Sequence, residues 1–171
     1  MPRPDGIDVS FWQGLVRWSE VAATGVTWAA TRIYDRQHGP AVDATFNRNR
    51  SGMATVGIPI RLLYWYLEPG RSVADQAAQC VQIVGPLAQG EGIMLDAEDT
   101  TTETQAFIWC TLVEKYIARP CAVYTSDWVD GGRTWRSARI FDGTRPRIFA
   151  APTVHAAHDE SRSISDLVGS G

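Results

Sequence analysis

Between Gly92 and Asp99 the chain reads Gly-Ile-Met-Leu-Asp-Ala-Glu-Asp. An apolar run, Ile93-Met94-Leu95, leads straight into three carboxylates, Asp96, Glu98 and Asp99. A short apolar run of this kind reads as a buried strand, and this one ends in acid. Residues two apart on a strand share a face, so Asp96 and Glu98 point together while Ala97 and Asp99 point the other way. Two carboxyl groups held side by side raise each other's cost of ionisation. One can then stay protonated at neutral pH while the other stays charged, which is the basis of acid–base catalysis by a carboxylate pair. Taken alone, the stretch also reads as a strand ending in a solvated acidic turn.

The acids must be positioned by the elements around them. Gly6-Ile7-Asp8-Val9-Ser10 reads as an opening strand, with Ile7 and Val9 on one face and Asp8 and Ser10 on the other. A charge in the middle of a buried strand is expensive unless it is paired, capping or functional. Val26–Ile33 reads as a second strand, ending in Arg32, Tyr34 and Asp35. Asp43 is the expected N-cap of a helix over Ala44–Thr55, and Ile58–Tyr66 is a third strand ending in Tyr64-Trp65-Tyr66. Ser72 caps a helix running to about Val84, with Val73, Ala77, Cys80, Val81 and Val84 at helical spacing. A longer helix over 101–119 is expected to bury Phe107, Cys110, Val113 and Ile117, with Pro120 stopping it. Cys121–Tyr124 and Arg147–Ala151 read as further strands, and Asp127–Val129 as a short turn.

Strand and helix alternate along the whole chain, which predicts a parallel sheet, open or closed into a barrel. In parallel barrels reactive groups gather at the C-terminal strand ends. Here those ends carry Asp8, Arg32 with Asp35, Tyr64 with Tyr66, Asp96 with Glu98, and Tyr124. A carboxylate pair with aromatic walls points to glycoside hydrolysis, and the seven Trp, five Tyr and five Phe supply such walls. No phosphate-cradling glycine loop and no Gly-x-Ser-x-Gly elbow is present.

The 171 residues suggest one domain over 1–171, with 152–171 a polar, weakly patterned tail or the start of a linker. A net charge of -3 argues against nucleic-acid binding. No apolar run is long enough to insert in a membrane. The segment Met1–Gly6 lacks an apolar signal core, so an extracellular role needs another exit route. Cys80, Cys110 and Cys121 have no metal-like spacing and read as buried thiols. His38, His155 and His158 are scattered, and no metal or cofactor is expected.

Several motifs, in order, resemble glycoside hydrolase family 25, the Chalaropsis-type lysozymes. They are Gly6-Ile7-Asp8-Val9-Ser10 with Trp12-Gln13-Gly14, Asp43-x-x-Phe46-x-x-Asn49, Gly57-Ile58 with Tyr64-Trp65-Tyr66, Leu95-Asp96-Ala97-Glu98, and Val123-Tyr124-Thr125-Ser126 with Trp128. The resemblance covers roughly residues 5–130 and implies an α/β fold, an irregular TIM-like (β/α) barrel, incomplete or atypically closed at its C-terminus. It implies cleavage of the β-1,4 bond between N-acetylmuramic acid and N-acetylglucosamine in bacterial peptidoglycan, by retention with help from the substrate's own acetamido group. Glu98 would be the general acid and then the base. Asp96 would orient the acetamido group, and Asp8 would position the sugar. Tyr64, Tyr66, Tyr124, Arg32 and Trp12 would bind substrate.

The chain departs from the family's pattern at Trp65, where His is usual, and at Arg32, where Lys is frequent. It departs again over Ile148–Pro152, and the final acidic segment is not recognisable, with Asp159 and Asp166 the nearest substitutes. The expected setting is a phage lysin held in the host cytoplasm until release, or a virion component, acting at the bacterial wall beside other phage proteins or a downstream wall-binding domain. The alternative reading is a lysozyme-like module without turnover that binds wall glycan or serves a structural role in a virion.

Overall fold

The computed structural model describes residues 6–35, 41–98, 101–125, 148–150 and 168–169. The expected turn at Asp127–Val129, the histidines, Asp99, Asp159 and Asp166 lie outside them. The chain divides into two compact units, Met1–Leu63 with Pro152–Gly171, and Tyr64–Ala151. The architecture is mixed α/β with parallel strand pairing, as the alternation predicts.

In the first unit, β1 (Gly6–Val9) runs parallel to β3 (Trp28–Arg32), with Asp8 opposite Ala30 and Val9 opposite Thr31. Helix α1 (Trp18–Ala23) connects them, and α2 (Phe46–Thr55) leads on to β6 (Ile60–Tyr66), whose first four residues belong to this unit. Ile7, Val9, Ala29 and Thr31 are buried on one face of the β1–β3 pair. Asp8, Trp28 and Arg32 lie on the other, as the period of two requires.

Two antiparallel ladders lie beyond what the sequence predicts. β2 (Leu15–Val16) pairs with β10 (Val168–Gly169), and β4 (Tyr34–Asp35) pairs with β5 (Ala41–Val42). The tail expected to be without pattern therefore contributes one strand. Each ladder has two residues per strand, too few to show a period.

The buried carboxylate of Asp43 organises this unit. It accepts the Phe11 N–H at 3.1 Å, Arg32 Nε at 2.9 Å, the Thr45 N–H at 2.9 Å and the Thr45 hydroxyl at 2.7 Å. Its side chain has no exposed surface. The sequence reading made Asp43 the N-cap of α2, but the helix starts three residues later, at Phe46, with Thr45 in the cap position. Asp43 closes the turn before the helix and spends its remaining acceptor capacity on the end of β3 and the turn after β1. Thr45 passes the network on, its hydroxyl accepting Asn49 Nδ2 at 3.0 Å while Asn49 Oδ1 accepts Trp18 Nε1 at 3.3 Å. Trp18 lies so close to α2 that a Cβ on Gly52 would come within 2.1 Å of its ring.

In the second unit the rest of β6 is followed by α3 (Val73–Val84), β7 (Glu91–Asp96), α4 (Glu103–Ile117), β8 (Ala122–Thr125) and β9 (Ile148–Ala150). β7 and β8 are parallel, with Asp96 opposite Tyr124, and β8 and β9 are parallel. Helices α3 and α4 pack on each other. Thr102 and Gln105 form a capping box at the start of α4. The helix ends where Ala118 turns left-handed at φ 52°, two residues before Pro120.

The buried side of α4 differs from the expected one. Ala106, Trp109, Cys110 and Val113 are enclosed, whereas Phe107 is 58% exposed. The spacing 106, 109, 110, 113 is a full helical stripe and takes the larger aromatic, Trp109, into the core. In α3 the buried set includes Gln76, whose Oε1 accepts the Glu68 N–H at 2.9 Å and whose Nε2 donates to the Glu68 carbonyl at 3.1 Å. One side chain thus clips the loop leaving β6 to the helix above it.

Removing one partner of a buried ion pair costs about 3–5 kcal/mol. Asp43→Asn is therefore expected to lower the unfolding free energy by roughly 3 kcal/mol, read from denaturant midpoints at unchanged m-value. A loss below about 1 kcal/mol would show that the network does not hold the unit together.

Candidate active site

Strand β7 ends at Asp96, the first acid of the expected pair, and Glu98 follows two residues past its end, where the alternation of burial continues. Ile93, Leu95 and Ala97 have no exposed surface, so one face of the strand is wholly interior. Asp96 and Glu98 stand on the opposite face, both half-buried. Backbone hydrogen bonds clamp the strand end from both sides. The Leu67 N–H donates to the Asp96 carbonyl at 2.9 Å, and the Ala97 N–H donates to the Tyr124 carbonyl at 2.8 Å. The Thr101 N–H donates to the Glu98 carbonyl at 3.1 Å, fixing the chain just past the pair.

These bonds set the neighbours. In a parallel ladder a bond from Leu67 to the Asp96 carbonyl places Tyr66 opposite Asp96. Tyr124 is opposite Asp96 on the other side. Tyr66, Asp96 and Tyr124 therefore form one row across three strands, spaced about 4.8 Å apart, with side chains on one face. Tyr64 shares that face two residues earlier on β6, and Glu98 extends it two residues beyond Asp96. All three tyrosines are half-buried.

Trp65, where the sequence departs from the family's usual His, points the other way. It has no exposed surface, and its Nε1 donates to Gln76 Oε1 at 3.3 Å. The departure therefore repacks the helix-facing core and leaves the row of tyrosines and acids untouched.

In the first unit, Asp8 is the acid at the end of β1. By surface area its side chain is open to solvent. Yet the protein gathered around it strips enough hydration to raise its carboxyl above the ordinary 3.8, against a smaller opposing pull from a backbone hydrogen bond. Its face of the pair is shaped by Trp28, whose indole lies over Gly6 so closely that a Cβ there would sit 2.1 Å from the ring.

Arg32 shares the face of Asp8, but its Nε is held by Asp43, and its guanidinium lies 5.0 Å from the centre of the Phe11 ring. Trp12 sits in a 3-10 turn over Phe11–Gln13 and is 63% exposed. The residue that sequence reasoning undervalued is Asp43. The spacing Asp43-Ala44-Thr45 signals a turn closed by the acid, but the donors from Phe11 and Arg32 are visible only in the fold.

Among the described residues no group of three His, Cys, Asp or Glu side chains could hold a metal ion. No helix among them is long and apolar enough to cross a membrane. Cys80, Cys110 and Cys121 are free and buried, as expected. A hydrogen bond with Cys110, followed by desolvation, pushes the Cys121 thiol up, and burial does the same to Cys80. Such thiols are poor nucleophiles, and no role in a reaction falls to them.

A carboxyl with a raised folded-state pKa binds its proton more tightly in the native protein than in the unfolded chain. Its ionisation therefore costs stability above the folded pKa, and that cost vanishes below the unfolded value. Asp8→Asn is expected to raise the melting temperature at pH 7, with the gain shrinking as pH falls through the raised folded value and gone below 3.8. An unchanged or lowered melting temperature at pH 7 would contradict the strained state of this acid.

A family model described as glycosyl hydrolases family 25 matches residues 7–130. Comparison with curated proteins finds no significant match. Among solved structures, a family 25 glycosyl hydrolase from Bacillus anthracis superposes with a TM-score of 0.63 at 18% identity, covering 74% of this chain and 63% of that one. A muramidase from Trichobolus zukalii superposes at 0.60 with 20% identity, covering 71% and 64%. A muramidase from Acremonium alcalophilum gives 0.63 with 22% identity, covering 74% and 67%. The chain thus spans just under two thirds of the length of the first two structures. At these identities the likeness establishes the fold, a parallel α/β arrangement of the distorted TIM-like barrel type.

Proposed function

Since this chain belongs to glycosyl hydrolase family 25, we propose that it hydrolyses the glycan strands of bacterial peptidoglycan. The bond cut is the β-1,4 link between N-acetylmuramic acid and N-acetylglucosamine. The observation that carries the reading is the single row Tyr66–Asp96–Tyr124 with Glu98 just beyond it on the same face. Two acids at and just past the end of one paired strand, flanked by aromatic side chains, suit a sugar whose glycosidic oxygen must be protonated as charge develops at its anomeric carbon.

In the proposed sequence Glu98 donates its proton to the leaving oxygen. The carbonyl oxygen of the substrate's 2-acetamido group attacks the anomeric carbon as the C–O bond breaks, giving an oxazolinium-like species. Asp96 orients the acetamido group and balances its positive charge. Water then opens the ring from the same side as the departed sugar, with Glu98 accepting its proton, so configuration is retained. Asp8 positions the sugar, and Tyr64, Tyr66 and Tyr124 line the subsites. The strand clamp supports the economy of this scheme, because acids fixed by backbone need no rearrangement during the reaction. The setting proposed with it is the phage one, a lysin released from the host cytoplasm or a virion component, acting at the wall.

Dye release from purified peptidoglycan tests the reading. Wild-type protein is expected to release dye, and Glu98→Gln to be at least about 100-fold slower, the usual scale of a lost general acid. Reducing-end analysis is expected to show N-acetylmuramic acid at the new ends, with the β-anomer released first. Wild-type protein that binds sacculi but releases no more dye than Glu98→Gln would leave a glycan-binding module in place of an enzyme.

A further inference from the structure

Helix α3 carries Gln76 with no exposed surface, although a carboxamide is costly to bury unless its donors and acceptors are filled. Its partners lie on β6 or just past it. Gln76 Oε1 accepts the Glu68 N–H at 2.9 Å and Trp65 Nε1 at 3.3 Å, and Nε2 donates to the Glu68 carbonyl at 3.1 Å. The two bonds to Glu68 are those a neighbouring parallel strand would make, N–H and carbonyl on one edge. The side chain of Glu68 is tied to the same helix. Arg71 donates from Nη1 to Glu68 Oε2 at 2.5 Å and from Nη2 to Gln79 Oε1 at 3.1 Å.

The opposite edge of this chain meets the acids. Leu67 donates its N–H to the Asp96 carbonyl at 2.9 Å, and its carbonyl accepts the Thr101 hydroxyl at 3.5 Å. Thr101 in turn donates its N–H to the Glu98 carbonyl at 3.1 Å. Successive residues of an extended chain offer their main-chain groups to opposite edges, so a grip on Glu68 from α3 sets where Leu67 meets β7. A relay thus runs from Gln76 through Glu68 and Leu67 to the main chain of Asp96 and, by way of Thr101, to that of Glu98.

From this geometry we infer that Gln76 is a positioning residue for the acid pair, an amide side chain standing in for a strand that holds the end of β6 against β7. Displacing a reacting group by about 1 Å can cost roughly 100-fold in rate, so a brace remote from the substrate has leverage on the chemistry. Its effect on rate presupposes the proposed hydrolysis, and to that extent the inference rests on that reading. The relay itself stands on the hydrogen bonds.

The test begins with Gln76→Met, which keeps the length of the side chain and removes its hydrogen bonds. At a temperature where the variant is fully folded, kcat on purified peptidoglycan is expected to fall roughly tenfold with KM changed less than about twofold. The Leu67 and Thr101 amides are expected to exchange faster with solvent. Gln76→Glu adds a readout that lost stability alone would not give. Its protonated carboxyl still donates to the Glu68 carbonyl, whereas its ionised form sets a buried charge against that carbonyl and beside the Glu68–Arg71 pair. Its kcat relative to wild type is therefore expected to recover as pH falls, through an ionisation absent from Gln76→Met. A folded Gln76→Met with kcat within about twofold of wild type, or with both amides exchanging as before, overturns the inference, and so do matching pH profiles for the two variants. Should Gln76→Met not fold, Thr101→Val cuts the relay at its far end and carries the test, with the same split between kcat and KM expected and an unchanged kcat overturning it. The two proposals fail separately. A protein without hydrolysis whose Leu67 and Thr101 amides exchange faster in Gln76→Met keeps the relay and loses the enzyme, and a hydrolase whose kcat ignores Gln76→Met does the reverse.

Discussion

A carboxylate with no solvent is costly unless its lone pairs are filled, and Asp43 fills its own with donors from three directions. Phe11 comes from the turn after β1, Arg32 from the end of β3, and Thr45 from the entry to α2. Each is a place where the chain leaves one element for the next. Hydrophobic burial brings these elements together but does not fix where their ends lie, because apolar contact is non-directional. The charge-assisted bonds to Asp43 supply that direction. The position of the Asp8 strand end, the attitude of the 3-10 turn and the start of α2 all depend on this one acid.

The second unit solves the same problem without a buried charge. Its organising groups are backbone amides and a neutral side chain, Gln76, which satisfies both the N–H and the carbonyl of Glu68. Asp96 ends a strand paired on both sides and Glu98 follows it, with Ile93, Leu95 and Ala97 between them and the core. A strand cannot slip by one residue without turning its whole core face outward. The face shared by Asp96 and Glu98 is therefore held by Ile93, Leu95 and Ala97 as firmly as by anything touching the acids.

That logic explains what was readable in advance. The shared face of Asp96 and Glu98 follows from a period of two, and the order of strands and helices follows from local pattern, so both were visible in the residues. The buried side of α4 was misjudged because apolar type was weighed without volume. Phe107 and Trp109 both fit a helical pattern, and only the packing of the folded chain buries Trp109 and leaves Phe107 exposed. Asp43 was taken for a local cap because its two distant partners lie 32 and 11 residues away in sequence. Trp65 was readable as a departure from the family's usual His, and its burial and bond to Gln76 place that departure in the core. The raised carboxyl of Asp8 depends on how much protein surrounds it, which no spacing encodes.

The overlap between Gly6 and Trp28 bears on how this sequence can drift. Glycine at position 6 is demanded by a neighbour's ring, since the two residues are partners across the β1–β3 ladder. The two positions are therefore a single unit of variation. A lineage that trims the indole at 28 frees position 6 to take a side chain, and one that keeps the indole is confined to glycine. Across homologues, size at these two sites should trade off reciprocally, and a library that randomises either one alone samples mainly broken combinations.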